Sequence, residues 1–294
     1  MTTKPVAAVT GAAGYLGSRI CATLESRGWQ VVRLVRTPGR GRGRESAYDL
    51  GMPVSPEVSE LLGSTDLLVH AAYDLTLTRE VDIWRVNVAG TRRLLQAASD
   101  AGVRRILVLS SMSAFDGTTQ LYGRAKLDIE TITERYGGCS VRPGLVYGNR
   151  SGGMAGALNK FARLPVVPLV AGDARLYTVS EDDLMAAVAA LAASDPMPVV
   201  PISAAHPVPA SMRDLMTGFA NGGRAAGEEI RCRFVKVPWR PVYRILRAAE
   251  SVGLRLPFRA DSLLGLVHGA PGVVNPGVWA GFGVTFHAFD PAVG

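Results

Sequence analysis

Apolar runs and amphipathic stretches alternate along the first half of the chain. Residues 6–10 (VAAVT) are apolar and end in a glycine-rich turn. The stretch after that turn sets Leu16, Ile20 and Leu24 on one side, the spacing of a helix. Gly28 interrupts it and VVRLV (31–35) follows, which makes a strand–turn–helix–strand unit of about thirty residues, the size of one βαβ crossover. The pattern recurs. DLLVHAA (66–72) predicts a strand, WRVNVAGTRRLLQAASDAG (84–102) a helix, RILVLSS (105–111) a strand, YGRAKLDIETITERYG (122–137) a helix and CSVRPGLVYG (139–148) a strand. Strands apolar throughout are covered on both faces, so the alternation predicts an α/β fold with a doubly wound parallel sheet of Rossmann type.

After about residue 150 the texture changes. GNRSGGMAG reads as loop and proline becomes frequent. DDLMAAVAALAAS (182–194) predicts a helix and MPVVPIS (197–203) a strand. RPVYRILRAAESVGL (240–254) is an amphipathic helix with arginines at 240, 244 and 247, read as a solvated face, although the same pattern can lie on a membrane surface. The last twenty or so residues predict no element. The expected organisation is a dinucleotide-binding domain over 1–150 and a small α/β substrate lobe over 151–294, interleaved with the first and not folding alone.

Composition narrows the function classes. The 294 residues are 48% hydrophobic and 19% charged, as a buried core requires, and charge or proline breaks every apolar run before it could span a bilayer. No charged region followed by an apolar run opens the chain, so a secretory signal is not expected. Cys21, Cys139 and Cys232 are odd in number and scattered, which argues against a disulfide framework and fits a cytoplasmic location. His206, His268 and His287 lack metal-ligand spacing, so no metal site is expected. The net charge of +7 raises nucleic acid as a partner. Its densest source, RTPGRGRGR (36–44), has no interleaved aromatics and suits a small anion better, so neither nucleic acid nor membrane is expected as a partner.

The glycines of TGAAGYLG stand at 11, 14 and 17. Gly11 allows the tight turn out of the strand, Gly14 lets backbone approach a pyrophosphate, and Gly17 lets the helix pack closely on the sheet, with free N–H groups at the helix start. An NAD site commonly holds the ribose 2′-hydroxyl with an acid at the end of the second strand. Here Arg36 occupies that place, Arg40, Arg42 and Arg44 follow, and no acid precedes Glu45 in this stretch. Guanidinium suits a 2′-phosphate, so NADP(H) is expected over NAD(H).

Tyr122 and Lys126 are four apart on one helix and share a face. An ammonium beside the phenol would lower its pKa and make it a usable proton shuttle. The preceding strand ends in LSSMS, and ligands of open parallel sheets bind beyond the strands' carboxyl ends.

With these motifs in order, the chain resembles the extended short-chain dehydrogenase/reductases. The resemblance rests on TGAAGYLG, HAA (70–72), NVAGT (87–91), SS (110–111), YGRAK (122–126) and RPGLVYG (142–148), and later on YTVSEDDLMAAV (177–188). It implies that Gly11, Gly14, Tyr15 and Leu16 line the pyrophosphate, that Asp49 and Leu50 flank the adenine, and that Ala71, Ala72 and Tyr73 run along the ribose. Asn87 is similar to the family's cofactor-side Asn. Lys126 would hold the nicotinamide ribose, Pro143 and Val146 would border the nicotinamide, and Ser111 would be the catalytic hydroxyl. Ser113 is the alternative hydroxyl and, with Tyr147, a substrate contact. The helices near 82–100 and 122–136 often form a homodimer interface in that family.

Two departures bear on the reaction. Ten residues separate Ser111 from Tyr122, about half the loop usual in nucleotide-sugar members, and the second strand ends in basic residues. Both favour an NADP(H)-dependent ketone or aldehyde reductase with a carbonyl substrate. Two alternatives stay open: a nucleotide-sugar epimerase or dehydratase with tightly held cofactor, and a non-catalytic NADP(H) sensor. His70 is expected to be packed or ribose-side, Asp182 and Asp183 to cap a helix, and Trp84, Leu94 and Leu95 to be core or subunit contacts.

Overall fold

A computed structural model of the chain describes residues 4–39, 43–148, 152–222, 233–254 and 258–290. Seven parallel strands form the central sheet: β1 (Val6–Thr10), β2 (Gln30–Val35), β3 (Arg44–Ala47), β4 (Leu67–His70), β5 (Arg105–Leu109), β6 (Cys139–Pro143) and, after four strands that lie outside it, β11 (Ile202–Ala204), in the order β11-β6-β5-β4-β1-β2-β3. The chain winds outward from β1 through β2 to β3, then returns to β4 on the other side of β1, where Thr10 pairs with His70. Strand order reverses between β1 and β4, and a crevice beyond the carboxyl ends of the strands opens at such a switch point.

Successive strand residues face opposite sides. Ala7 and Val9 point to a core shared with α1 (Tyr15–Ser26) and α7 (Glu181–Ala193), while Ala8 points to one shared with α2 (Pro56–Leu62), α4 (Ala89–Asp100) and α5 (Leu121–Arg135). Leu94 and Leu95 are fully buried in the second core. α2 starts where Ser55 accepts from the Val58 N–H just ahead of Pro56. α7 starts where Ser180 accepts from Asp183, with three acids in its first turn complementing the helix dipole. The helix expected over 84–102 is preceded by one turn, α3 (Glu80–Ile83), and opens with a π-helical turn over Trp84–Val88.

Three expectations need correction. The stretch 139–148 is not one strand. Pro143 ends β6, and at Gly144 the chain passes so close to Tyr177 that an added Cβ would lie 2.6 Å from its carbonyl oxygen. β7 (Leu145–Tyr147) then joins a separate two-stranded sheet with β10 (Thr178–Ser180). The strand expected over 197–203 is confined to its end, because Pro198 and Pro201 have no N–H for a ladder and Val199 and Val200 are exposed. Of the glycine-rich loop expected over 148–156, residues 153–156 belong to α6 (Gly153–Ala162), and 149–151 lie outside the described residues. The sequence pattern also missed β3, whose charged RESA carries no apolar signal because it is an edge strand.

The second half completes the structure. β8 (Val166–Val170) pairs with β13 (Arg233–Val237), and β9 (Arg175–Leu176) with β12 (Ala210–Ser211). α8 (Met212–Asn221) shares a core with α6, and α9 (Trp239–Ser251) one with α10 (Ala260–Val267). The unassigned terminal stretch holds α11 (Val278–Gly281), whose buried Trp279 donates to the Ser203 carbonyl of β11 at 2.7 Å. Beyond it, His287 reaches Asp183. The sheet's edge strand and the covering helix α7 thus come from beyond residue 150. Cys21 and Cys139 are buried free thiols, and Cys232 lies outside the described residues. Among the described residues no helix is long and apolar enough to cross a membrane, and no cluster of metal-ligating side chains occurs.

Candidate active site

The β1–α1 turn is built for close approach. Gly11 has φ +67, and a Cβ there would lie 2.8 Å from the Ala72 nitrogen; one on Gly17 would lie 2.1 Å from the Gly11 carbonyl oxygen. Gly14 caps α1 with no side chain, no acid stands in the first turn, and the first N–H groups of the helix face outward at its positive end. This cradle fits a dinucleotide pyrophosphate. Leu16 packs on the core, while the Tyr15 hydroxyl donates to Glu181, which Arg19 holds at 3.1 Å. Burial and then Glu181 push the Tyr15 phenol up. Only the backbone of Tyr15 therefore belongs to the cradle, since its side chain ties the turn to α7.

Arg36 is exposed where β2 ends, and Arg44 is exposed at the start of β3. Arg40 and Arg42 lie outside the described residues. Asp49 Oδ1 accepts from the Gly51 N–H at 2.8 Å, and the carbonyl of buried Leu50 accepts from Arg93 at 3.0 Å, which fixes the loop expected around an adenine.

Beneath the crevice lies a closed polar chain. Thr91 Oγ1 donates to the Asn87 carbonyl (2.7 Å), so it accepts from His70 Nε2 (2.8 Å). The other ring nitrogen, Nδ1, must then accept from Thr10 Oγ1 (2.7 Å), whose lone pairs take the N–H groups of Ala71 and Ala72. Burial, with a smaller contribution from Lys126, lowers the His70 pKa to about 3. His70 is a neutral, fully bonded core residue, as expected. Asn87, in the π turn, accepts from the Asp74 N–H at 2.7 Å and so holds the loop after β4 rather than pointing into open space.

That loop carries Tyr73 to Tyr122 and Lys126. Its ring meets Tyr122 edge-on, with centroids 5.0 Å apart at 79°. Lys126 Nζ lies 4.7 Å from the Tyr73 ring centroid and 5.8 Å from that of Tyr122, and donates to the Leu109 carbonyl at 2.6 Å. Ser111 Oγ accepts from the Ser113 N–H at 3.1 Å, and the Ser111 side chain acts on Tyr122, favouring its ionised form. The Tyr73 hydroxyl is buried without a partner, a polar atom left for a ligand. Ser111, Tyr122, Lys126 and Tyr73 are thus brought together. Pro143 is buried at the end of β6, accepting from Met112, and Val146 packs on the core from β7. Tyr147 is not free for substrate: it is buried against Phe289, and its hydroxyl donates to the Ala288 carbonyl.

The electrostatics differ from the expected lowering of the Tyr122 pKa. Burial pushes the phenol up to about 12, the Ser111 side chain opposes this, and Asp261 adds to it. Burial lowers Lys126 to about 8, opposed by Glu130. In this pocket desolvation outweighs the neighbouring ammonium.

Several supporting residues escaped the sequence reading. Glu130, one turn beyond Lys126, is buried and clamped by Arg142 through Nε (2.8 Å) and a second nitrogen (2.6 Å), and Ser110 donates to the same carboxylate. An arginine inside an apolar strand was the available signal. Asp261 of α10 accepts from the N–H groups of Leu121 (2.9 Å) and Tyr122 (3.1 Å), and so caps α5 from far along the chain. Its neighbour Arg259 donates to the Leu75 and Leu77 carbonyls in the loop that bears Tyr73. Nothing local in the sequence marks either one.

Residues 7–199 match the family model described as NAD dependent epimerase/dehydratase family. The chain is similar to the ceramide reductase of Caulobacter vibrioides, 28% identical over 226 residues, which cover 74% of this chain and 70% of that protein. Other curated relatives are matched over 19% to 41% of their own lengths. Among solved structures, gox2253 superposes with a TM-score of 0.73 at 21% identity, covering 96% of this chain and 94% of that one. MoeE5 in complex with UDP-glucuronic acid and NAD superposes at 0.63 with 22% identity, covering 88% and 96%. At these identities the two structures show the shared fold.

Proposed function

The chain belongs to the NAD dependent epimerase/dehydratase family, and from that premise we propose that it is an NADP(H)-dependent oxidoreductase acting on a ketone or aldehyde carbonyl and the corresponding alcohol. When bound, the dinucleotide supplies or accepts the hydride. The chain's own residues do the rest. The glycine cradle and the α1 N-terminus hold the pyrophosphate, and Arg36 faces the adenosine 2′-phosphate. Lys126 holds the nicotinamide ribose, and the unpartnered Tyr73 hydroxyl offers a further polar contact. Ser111 orients the substrate oxygen, and Tyr122 moves the proton at that oxygen. Pro143 and Val146 border the reacting ring.

The observation that carries this reading is the meeting of Ser111, Tyr122 and Lys126 beyond the carboxyl end of β5, where Lys126 donates to the Leu109 carbonyl and Ser111 opposes the rise of the Tyr122 pKa. A pKa of about 12 makes Tyr122 an acid that keeps its proton until an oxygen with developing negative charge arrives. That suits carbonyl reduction. The similarity to a ceramide reductase supports a reductase with a lipid-like carbonyl substrate. A homodimer through α3, α4 and α5 belongs to this proposal. There Trp84 donates to Asp128 at 2.7 Å beside exposed Val81.

The family description favours a second reading, a nucleotide-sugar epimerase with retained NAD. Purified protein tested for bound dinucleotide, then assayed with long-chain ketones and with UDP-sugars, separates the two. A reductase is released free of cofactor and oxidises NADPH with ketones. Retained NAD together with UDP-sugar interconversion would replace this proposal with the second reading.

A further inference from the structure

Opposite the face that α9 buries, the helix is neither uniformly polar nor covered. Its inner side sets Trp239, Val242, Tyr243 and Leu246 against α10. The outer side splits lengthwise. Arg240, Arg244 and Arg247 recur at helical spacing and form one exposed stripe. Pro241, Ile245, Ala248 and Val252 recur at the same spacing and form a second, also exposed, with Ile245 67% and Val252 73% accessible. Leu254 (60%), just past the end of the helix, and Val235 on β13 (46%) are exposed too.

The charge around these residues is one-sided. Over 233–254 the sequence has five cationic side chains and a single acid, Glu250. That carboxylate is already engaged, accepting from the Ala260 N–H at 2.9 Å. Among the described residues none of the three arginines has an ion-pair partner. A single exposed Ile needs no explanation. An apolar stripe beside an arginine stripe on one helix face is different, because it matches a helix lying in the plane of a bilayer interface, its cations at the headgroups and its apolar side in the acyl boundary. Nucleic acid would use the arginines but not the apolar stripe.

We propose that the outer face of α9 docks the protein on an anionic lipid surface, with Arg240, Arg244 and Arg247 at the lipid phosphates and Ile245 and Val252 inserted beside them. From sequence this helix reads as a solvated face; the exposure of Ile245 and Val252 is what changes that reading. The proposal does not depend on the reaction assigned above. It does place the docking face one helix from the pocket, since α9 packs on α10 and Asp261 of α10 bonds the Tyr122 N–H.

The test is sedimentation of the full chain with vesicles of phosphatidylglycerol or of phosphatidylcholine. Binding to the first and not the second is expected. Each interfacial arginine is worth roughly a fivefold change in affinity, so the triple variant Arg240→Ala, Arg244→Ala, Arg247→Ala should bind about a hundredfold more weakly. The emission of Ile245→Trp should move to the blue on phosphatidylglycerol, reporting burial of that position. These positions are exposed, so NADPH affinity is expected to be equal in the parent and the triple variant. Failure here therefore leaves the catalytic reading untouched. No binding to phosphatidylglycerol, or equal binding by the triple variant, overturns the proposal. So does equally tight binding to polyglutamate with no blue shift, which assigns the face to an acidic protein partner.

Discussion

Exchanging Asp261 for asparagine removes one charge and one acceptor from a side chain that acts 140 residues away in sequence. Both of its carboxylate oxygens accept backbone N–H groups at the start of α5, from Leu121 and Tyr122. Asparagine offers one carbonyl oxygen, so one N–H is left facing an amide. An unmade bond of this kind costs about 1–3 kcal/mol, and loss of negative charge at the helix N-terminus adds about 0.3–1 kcal/mol. Asp261 is only partly buried, so the lower halves of these ranges apply, and the sum is about 2 kcal/mol. In a chain of this size that lowers the melting temperature by about 3 °C. A second effect accompanies it. The Asp261 carboxylate helps to raise the Tyr122 pKa, so in Asp261→Asn the phenol titrates at lower pH. Differential scanning calorimetry reads the first effect, and ultraviolet difference titration of phenolate, with Tyr122→Phe as the reference for that one tyrosine, reads the second without any substrate. An unchanged melting temperature together with an unmoved Tyr122 titration would refute the reasoning that α10 holds α5 and tunes Tyr122.

Gly17→Ala should cost about 2 kcal/mol or more and weaken dinucleotide binding, because its Cβ meets Gly11 backbone at 2.1 Å; denaturant melts and NADPH titration check this. Arg36→Glu should raise the NADPH dissociation constant at least tenfold while leaving that of NADH within a few-fold, since one charge-assisted contact is worth about 1.5–3 kcal/mol. Equal losses for both cofactors would remove Arg36 from the 2′-phosphate site. For His70 the folded pKa, about 3, lies below its ordinary value of 6.5, so between those values only the unfolded chain takes up the proton. Stability from the neutral ring is complete above about pH 6.5 and drains as pH falls toward 3, at up to about 1.4 kcal/mol per pH unit. Urea midpoints measured against pH should show a shallower acid-side slope in His70→Asn; parallel slopes would contradict the neutral-ring assignment.

The features legible in sequence are those with local causes. Leu16, Ile20 and Leu24 repeat with the helical period because α1 lies on the sheet, and the glycines at 11 and 17 stand where no Cβ fits. Tyr122 and Lys126 shared a face by spacing alone. What stayed hidden depends on distant chain. Asp261 and Arg259 reach α5 and the Tyr73 loop from the far end of the molecule, and no window around residue 120 contains them. Tyr73 was legible as a ribose neighbour, but its edge-on contact with Tyr122 depends on the loop that Asn87 holds. The expected lowering of the Tyr122 pKa failed because charge proximity can be read from spacing, whereas burial depends on everything packed around the pair.

The central claim is that the Tyr122 phenol passes a proton to and from substrate oxygen in a pocket where the dinucleotide also binds. The direct measurement sets NADPH affinity beside NADPH oxidation with a ketone substrate, in the parent and in Tyr122→Phe. The account predicts affinity within about twofold and oxidation slower by about 10²–10⁴-fold. Oxidation at the parent rate in Tyr122→Phe would contradict it.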